Sequence, residues 1–207
     1  MTGPTNRTSA EMDWATLMRS PAAYIDVSRL AACFDGSIGI KLCERLRATG
    51  RLQNRLSDMI SDFYALPAPV SAEAVNLADQ KVALLAPGKT GDLIRRAGAA
   101  YWANAIANAV RADEVRRLRA RLGEALYAFA LANRQLSGPP AKLDLTDEID
   151  VQITQDGTRC FGAWCASQPE AVGSRVRLKS AASPALDDSA NGPFRDIGAA
   201  IIRGAAA

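Results

Sequence analysis

Ile149-Asp150-Val151-Gln152-Ile153-Thr154-Gln155-Asp156-Gly157-Thr158-Arg159-Cys160-Phe161-Gly162-Ala163-Trp164 is the stretch on which the fold class turns. Ile149, Val151 and Ile153 alternate and then reach Asp156-Gly157, the local signature of a β-hairpin. The same residues also fit a helix from Thr146 through Trp164, with Gly157 and Gly162 as its weak points. Periodicity does not separate the two in so short an apolar run.

Outside this stretch the pattern is helical. Gly91 to Val110 is apolar nearly all round (Leu93, Ile94, Ala97, Tyr101, Trp102, Ile106), which suits a helix in the middle of a bundle. Its alanines and Gly98 allow neighbouring helices to approach closely. From Asp113 to Leu136 the pattern changes. At ~100° per residue, Val115, Leu118, Leu122, Leu126, Phe129 and Leu136 fall within an arc of roughly 80°, one apolar stripe on a long helix ended by Gly138-Pro139-Pro140. Toward the N-terminus, Thr8-x-x-Glu11 reads as a capping box and Ser20-Pro21 as a second helix start. A helical hairpin split at Gly50 spans 37–66, and Ser71 caps a further helix bearing Val75, Ala78, Val82 and Leu85. Arg175 to Lys179 alternates again, Ser180 to Gly192 reads as a polar loop, and Pro193 to Arg203 as a last helix. The fold class expected is mainly α, an irregular multi-helix bundle, with a short β-hairpin in the C-terminal third as the open alternative. Pro67 and Pro69 mark a linker at 67–70 between an N-terminal helical region, 1–66, and a main helical domain, 71–207, which can also pack as one.

Composition narrows the chemistry. The 207 residues are 48% apolar and 23% charged, with net charge +3 and no histidine, which removes the usual general base and every His-containing nucleophile pair or zinc site. Cys33, Cys43, Cys160 and Cys165 lack the two-residue spacing of a zinc or redox motif and read as small buried hydrophobes in a reducing compartment. The polar N-terminus holds no apolar signal segment, and the longest apolar run, 97–110, is shorter than the ~20 residues that span a bilayer. A cytoplasmic protein is expected, without cofactor or metal.

Three motifs invite function. Gly88-Lys89-Thr90 resembles the end of a phosphate-binding loop, but the position five residues before Gly88 is Ala83, not glycine. The bland reading is an inter-helix turn in which Thr90 caps the next helix. Arg111, Arg116, Arg117, Arg119 and Arg121 scatter around a helical wheel among Asp113, Glu114 and Glu124, a solvated face and not a nucleic-acid stripe. Asp147-Glu148-Asp150 and Asp187-Asp188 fit a helix N-terminus and a polar loop. A helical DNA-binding regulator and a small nucleotide-binding enzyme are the alternatives to a surface-acting protein.

Ser20-Pro21-Ala22-Ala23-Tyr24-Ile25, Gly91-Asp92-Leu93-Ile94-Arg95-Arg96, the Gly138-Pro139 break, Phe161-Gly162-Ala163-Trp164, Gln168-Pro169 and Arg175-Val176-Arg177-Leu178 occur here in a telling order. That order resembles the SctK family, the YscK type among them, of accessory proteins of the type III secretion sorting platform. The likeness spans roughly 19–203, with a loosened ending at Val176-Arg177-Leu178-Lys179-Ser180. It favours helix over hairpin for 149–164. It implies a non-enzymatic cytoplasmic adaptor, docked at the inner membrane through partners without inserting in it. Those partners would be an SctD-like inner-membrane ring protein and an SctQ-like pod protein, with no nucleic acid. The candidate contact residues are Trp14, Tyr24, Arg95, Arg96 and Trp164. For each aromatic, packing in the core is the competing role, and for the two arginines it is a stem lying along the core with its charge in water.

Overall fold

The computed structural model describes residues 12–139, 143, 148–187 and 192–207. The Thr8/Glu11 capping box, Pro140, Asp147 and Asp188 lie outside them. Thirteen α-helices are found among the described residues, and no β-sheet. They are α1 (Trp14–Arg19), α2 (Val27–Ala32), α3 (Ile40–Ala48), α4 (Gln53–Phe63), α5 (Leu77–Ala83), α6 (Pro87–Tyr101) and α7 (Ala103–Ala107). The chain continues as α8 (Ala112–Leu122), α9 (Glu124–Ala132), α10 (Ile149–Ser167), α11 (Glu170–Arg177), α12 (Pro184–Asp187) and α13 (Phe194–Ala206).

The stretch at 149–167 is one helix, not a hairpin. Ile149, Ile153, Asp156, Gly157, Cys160, Phe161 and Trp164 recur at helical spacing and all are buried. Asp156-Gly157 turns no corner: the Asp156 carboxylate accepts from the Trp102 indole at 2.8 Å, and the backbone of α6 approaches closely at Gly157. A Cβ at Gly157 would fall inside the Ile94 carbonyl, and one at Gly98 inside the Ile153 carbonyl. Burial between helices overrides the turn preference of the dipeptide. Helix α10 packs most extensively on α6 and α13, and these three carry the centre of the molecule. The alternating 175–179 segment is likewise helical, as the end of α11 and the turn after it.

Other boundaries differ from the pattern. The apolar run at 91–110 is interrupted at Trp102, and the long stripe at 113–136 is broken at Gly123, whose φ of 79° turns α8 into α9. Asn76 caps α5, not Ser71, by accepting from the Asp79 amide. The 180–192 loop contains α12, which buries Leu186.

A single apolar cluster runs from Leu17 to Ala205. Polar ties join the two ends of the chain. Arg175 donates to Met18 O at 2.9 Å, Asp26 N–H to Leu178 O at 2.7 Å, and Arg29 Nε to Ser180 O at 2.7 Å. Lys179 Nζ, 4% exposed, donates to the carbonyls of Ala83 and Leu85 at the end of α5. Among the described residues no carboxylate pairs with it, and burial pushes its pKa from 10.5 down to about 7.

This depression has a definite sign. Below pH 7 folded and unfolded chains both hold the Lys179 proton; between pH 7 and 10 only the unfolded chain does, so stability rises with pH in that window. Burial raises the Cys165 thiol to about 12, which acts oppositely once free thiols ionise. Comparison with Lys179→Met isolates the lysine. Its expected contribution is a gain of about 2 kcal/mol for wild type over the variant between pH 7 and pH 9, in urea unfolding. Parallel pH profiles would show that Lys179 keeps its proton.

Candidate functional site

Helix α6 begins at Pro87, the first-turn position where proline surrenders a donor that has no partner anyway. Gly88-Lys89-Thr90-Gly91 is therefore helix and wraps no phosphate. Thr90 does not cap it: its hydroxyl is buried inside the helix and donates to Ala86 O. Leu93, Ile94 and Ala97 face the core, which turns Lys89, Asp92, Arg95 and Arg96 outward. Lys89 and Asp92 pair at 3.5 Å, both largely exposed, a contact worth little in water.

The two arginines are placed differently. Arg95 donates to Asp150 Oδ1 at 2.7 Å, tying α6 to the start of α10, and touches Arg121 O at 3.5 Å. The Arg96 guanidinium lies 4.4 Å from the centre of the Phe129 ring on α9, a cation–π contact with no ion pair among the described residues. Two hollows flank this helix. The first, about 400 Å³, lies against α9 and is lined by Asp92, Arg95, Arg96, Ala125, Leu126 and Phe129. The second, about 370 Å³, lies against α5 and α13 and is lined by Lys81, Leu85, Lys89, Asp92, Leu93, Arg96, Ala205 and Ala206. Asp92 and Arg96 belong to both.

The aromatic candidates sit elsewhere and apart. Trp164 is wholly buried and donates from Nε1 to Asp79 Oδ1 at 2.7 Å. The same carboxylate, 1% exposed, receives Arg203 at 2.8 and 2.9 Å and the Asn76 amide, joining α5, α10 and α13. Burial alone would raise the Asp79 pKa; the Arg203, Trp164 and Asn76 hydrogen bonds outweigh it and hold the carboxyl below its ordinary 3.8. Tyr24, 1% exposed, donates to Leu17 O at 2.7 Å and packs near Lys179. Trp14 is half-buried, and its Nε1 donates to Val70 O at 2.9 Å, fastening α1 to the Pro67–Val70 segment. Only Arg95, Arg96 and the outer part of Trp14 present surface.

Sequence reasoning named Arg95 and Arg96 but missed Lys81, Leu126 and Phe129, which complete the hollows from other helices. The spacing of Lys89, Asp92 and Arg96, at i, i+3 and i+7, was the available signal for one outward stripe. On α8, Arg117 pairs with Asp113 at 3.5 Å and Arg119 with Glu124 at 3.8 Å, so its arginines form a mixed-charge surface. Cys43, Cys160 and Cys165 are buried and none of the four thiols is bridged. Among the described residues no helix is long and apolar enough to cross a membrane.

These features define a mainly helical protein whose tightest polar clusters hold its own helices together, and whose open chemistry is a charged surface with apolar hollows. The family model described as YOP proteins translocation protein K (YscK) matches residues 13–195, and the chain belongs to this family of type III secretion proteins. Its role is in type III secretion. It is also similar to the nodulation protein NolU of Rhizobium fredii and to that of Sinorhizobium fredii. Each is 25% identical over 178 residues, 82% of this chain and 76% of the relative. No solved structure matches the chain significantly.

Proposed function

We propose that this protein is a non-enzymatic adaptor of the type III secretion sorting platform, bridging an SctD-like inner-membrane ring protein and an SctQ-like pod protein at the cytoplasmic face of the inner membrane. The observation that carries this reading is the family match over 13–195 on a body built of packed helices. The outward face of α6 supports it: Arg95 and Arg96 stand beside apolar hollows, the composition of an interface and not of a merely solvated helix. In this reading Arg95, Arg96 and Trp14 meet partners, while Tyr24 and Trp164 keep the helices that carry them in register. The described parts of 1–66 and 71–207 act as one body, bound through Arg29 and Arg175.

Co-purification tests this. The tagged chain, expressed with the secretion apparatus of its own cell, is expected to recover SctD- and SctQ-like proteins together. Arg95→Glu with Arg96→Glu is expected to lose at least one of them while folding normally by circular dichroism. Recovery of neither partner by wild type would sink the adaptor reading.

A further inference from the structure

The two hollows beside α6 share one ridge, Asp92 and Arg96, and that arrangement specifies an occupant. We propose that an acidic amphipathic helix of a partner protein lies across α6, seating one bulky apolar side chain in each hollow and a carboxylate on Arg96. This rests on the adaptor reading above and names the chemistry of one contact.

Two observations carry it. The first is charge. Among the described residues, Arg96 and Lys81, which line the second hollow together, have no ion pair, and Asp92 is the one carboxylate lining either hollow, already shared with Lys89. The surface is therefore complementary to carboxylates, and a basic helix would meet like charge. The second is spacing. The hollows lie on either side of the Asp92–Arg96 ridge, one toward α9 and the other toward α5 and α13, so an occupant that spans this ridge of a helix about 10 Å across needs two separated anchors. At ~1.5 Å per residue, positions i and i+7 of the visiting helix are about 10.5 Å apart and share a face. Residues i+3 and i+4 then stand over the ridge. The recognised pattern is apolar, two spacers, two acidic residues, two spacers, apolar. Leu126 and Phe129 floor one hollow, and Leu85 and Leu93 the other.

A membrane is the competing anionic surface, but flat lipid headgroups use neither hollow. The full chain is titrated with a fluorescent, hydrocarbon-stapled peptide bearing leucines seven positions apart and glutamates over the ridge. Control peptides carry lysine for glutamate, or alanine for leucine. The acidic leucine peptide is expected to bind at least about fivefold more tightly than either control. Arg96→Glu is expected to abolish that preference, and Lys81→Glu, an exposed change, to reduce it. Equal binding of all three peptides, or a preference that survives Arg96→Glu, would overturn the proposal. So would Arg96-dependent binding to phosphatidylserine vesicles with no peptide preference. If the peptide fails while wild type still recovers ring and pod proteins, the groove alone is rejected. If the peptide binds but neither protein is recovered, the adaptor reading falls and the groove stands.

Discussion

Gly157→Ala should destabilise the protein by about 3 kcal/mol, although alanine is the better helix former by about 1 kcal/mol. Gly157 and Gly98 form a reciprocal crossing in which each glycine receives a carbonyl of the other helix, Ile94 O at Gly157 and Ile153 O at Gly98. A methyl at either site meets main chain, which cannot rotate aside. The helices must separate, and the residues that separation loosens, Ile94, Ala97, Ile153 and Phe161, are all buried. Gly98→Ala should cost a similar amount. The double variant should cost less than the sum of the two, because a single separation relieves both clashes. Urea unfolding monitored by circular dichroism measures all three. Stabilisation by either single variant would mean that α6 and α10 do not cross at these residues.

Asp79→Ala should cost about 2–3 kcal/mol, for a different reason. The carboxylate is enclosed and serves Trp164, Arg203 and Asn76 at once. Its removal leaves the buried Trp164 indole N–H without an acceptor, while Arg203, whose side chain is 41% exposed, loses its ion pair but can turn to water. Asp79→Asn keeps the volume and one acceptor and should lose less. The charge also sets a pH dependence. Because the folded-state pKa is depressed, the stability this group contributes is complete above the ordinary carboxylate range and is lost as pH falls below about 4 through the folded value. Wild type should therefore show a steeper acid-side loss than Asp79→Asn. Coincident acid limbs, measured as unfolding midpoints from pH 5 to pH 2, would remove Asp79 from this role.

The helical class was legible because apolar residues recur at 3.6-residue spacing nearly everywhere, as in Val115, Leu118 and Leu122. Where the reading left alternatives, around Ile149 to Gly157, local preference and tertiary burial conflicted. Asp-Gly is a good turn in isolation, yet here the acid is needed by Trp102 and the glycine by Ile94. Breaks at Trp102 and Gly123 were hidden, since both halves of each helix keep apolar stripes of nearly the same direction. The aromatics were harder. Apolar pattern does not tell whether Trp164 or Tyr24 points inward; a buried acceptor decides it, Asp79 from 85 residues away for one and Leu17 O from the preceding helix for the other. Arg95 and Arg96 were visible as charges on a buried helix. Their hollows were not, because the opposing walls come from α5, α9 and α13.

The cations that bind the two ends of the chain impose an order on its synthesis. Met18 O waits for Arg175, 157 residues later, Ala83 O for Lys179, 96 later, and Asp79 for Arg203, 124 later. As the chain leaves the ribosome, helices α1 to α5 emerge with those acceptors and the apolar faces around them still open to water. Closure of such long loops precedes the contacts that reward it, so folding completes only after α13 has been released. Until then the N-terminal half is an unfinished surface. A nascent chain stalled before residue 175 should be protease-sensitive throughout, where a chain with an independent N-terminal domain would already resist.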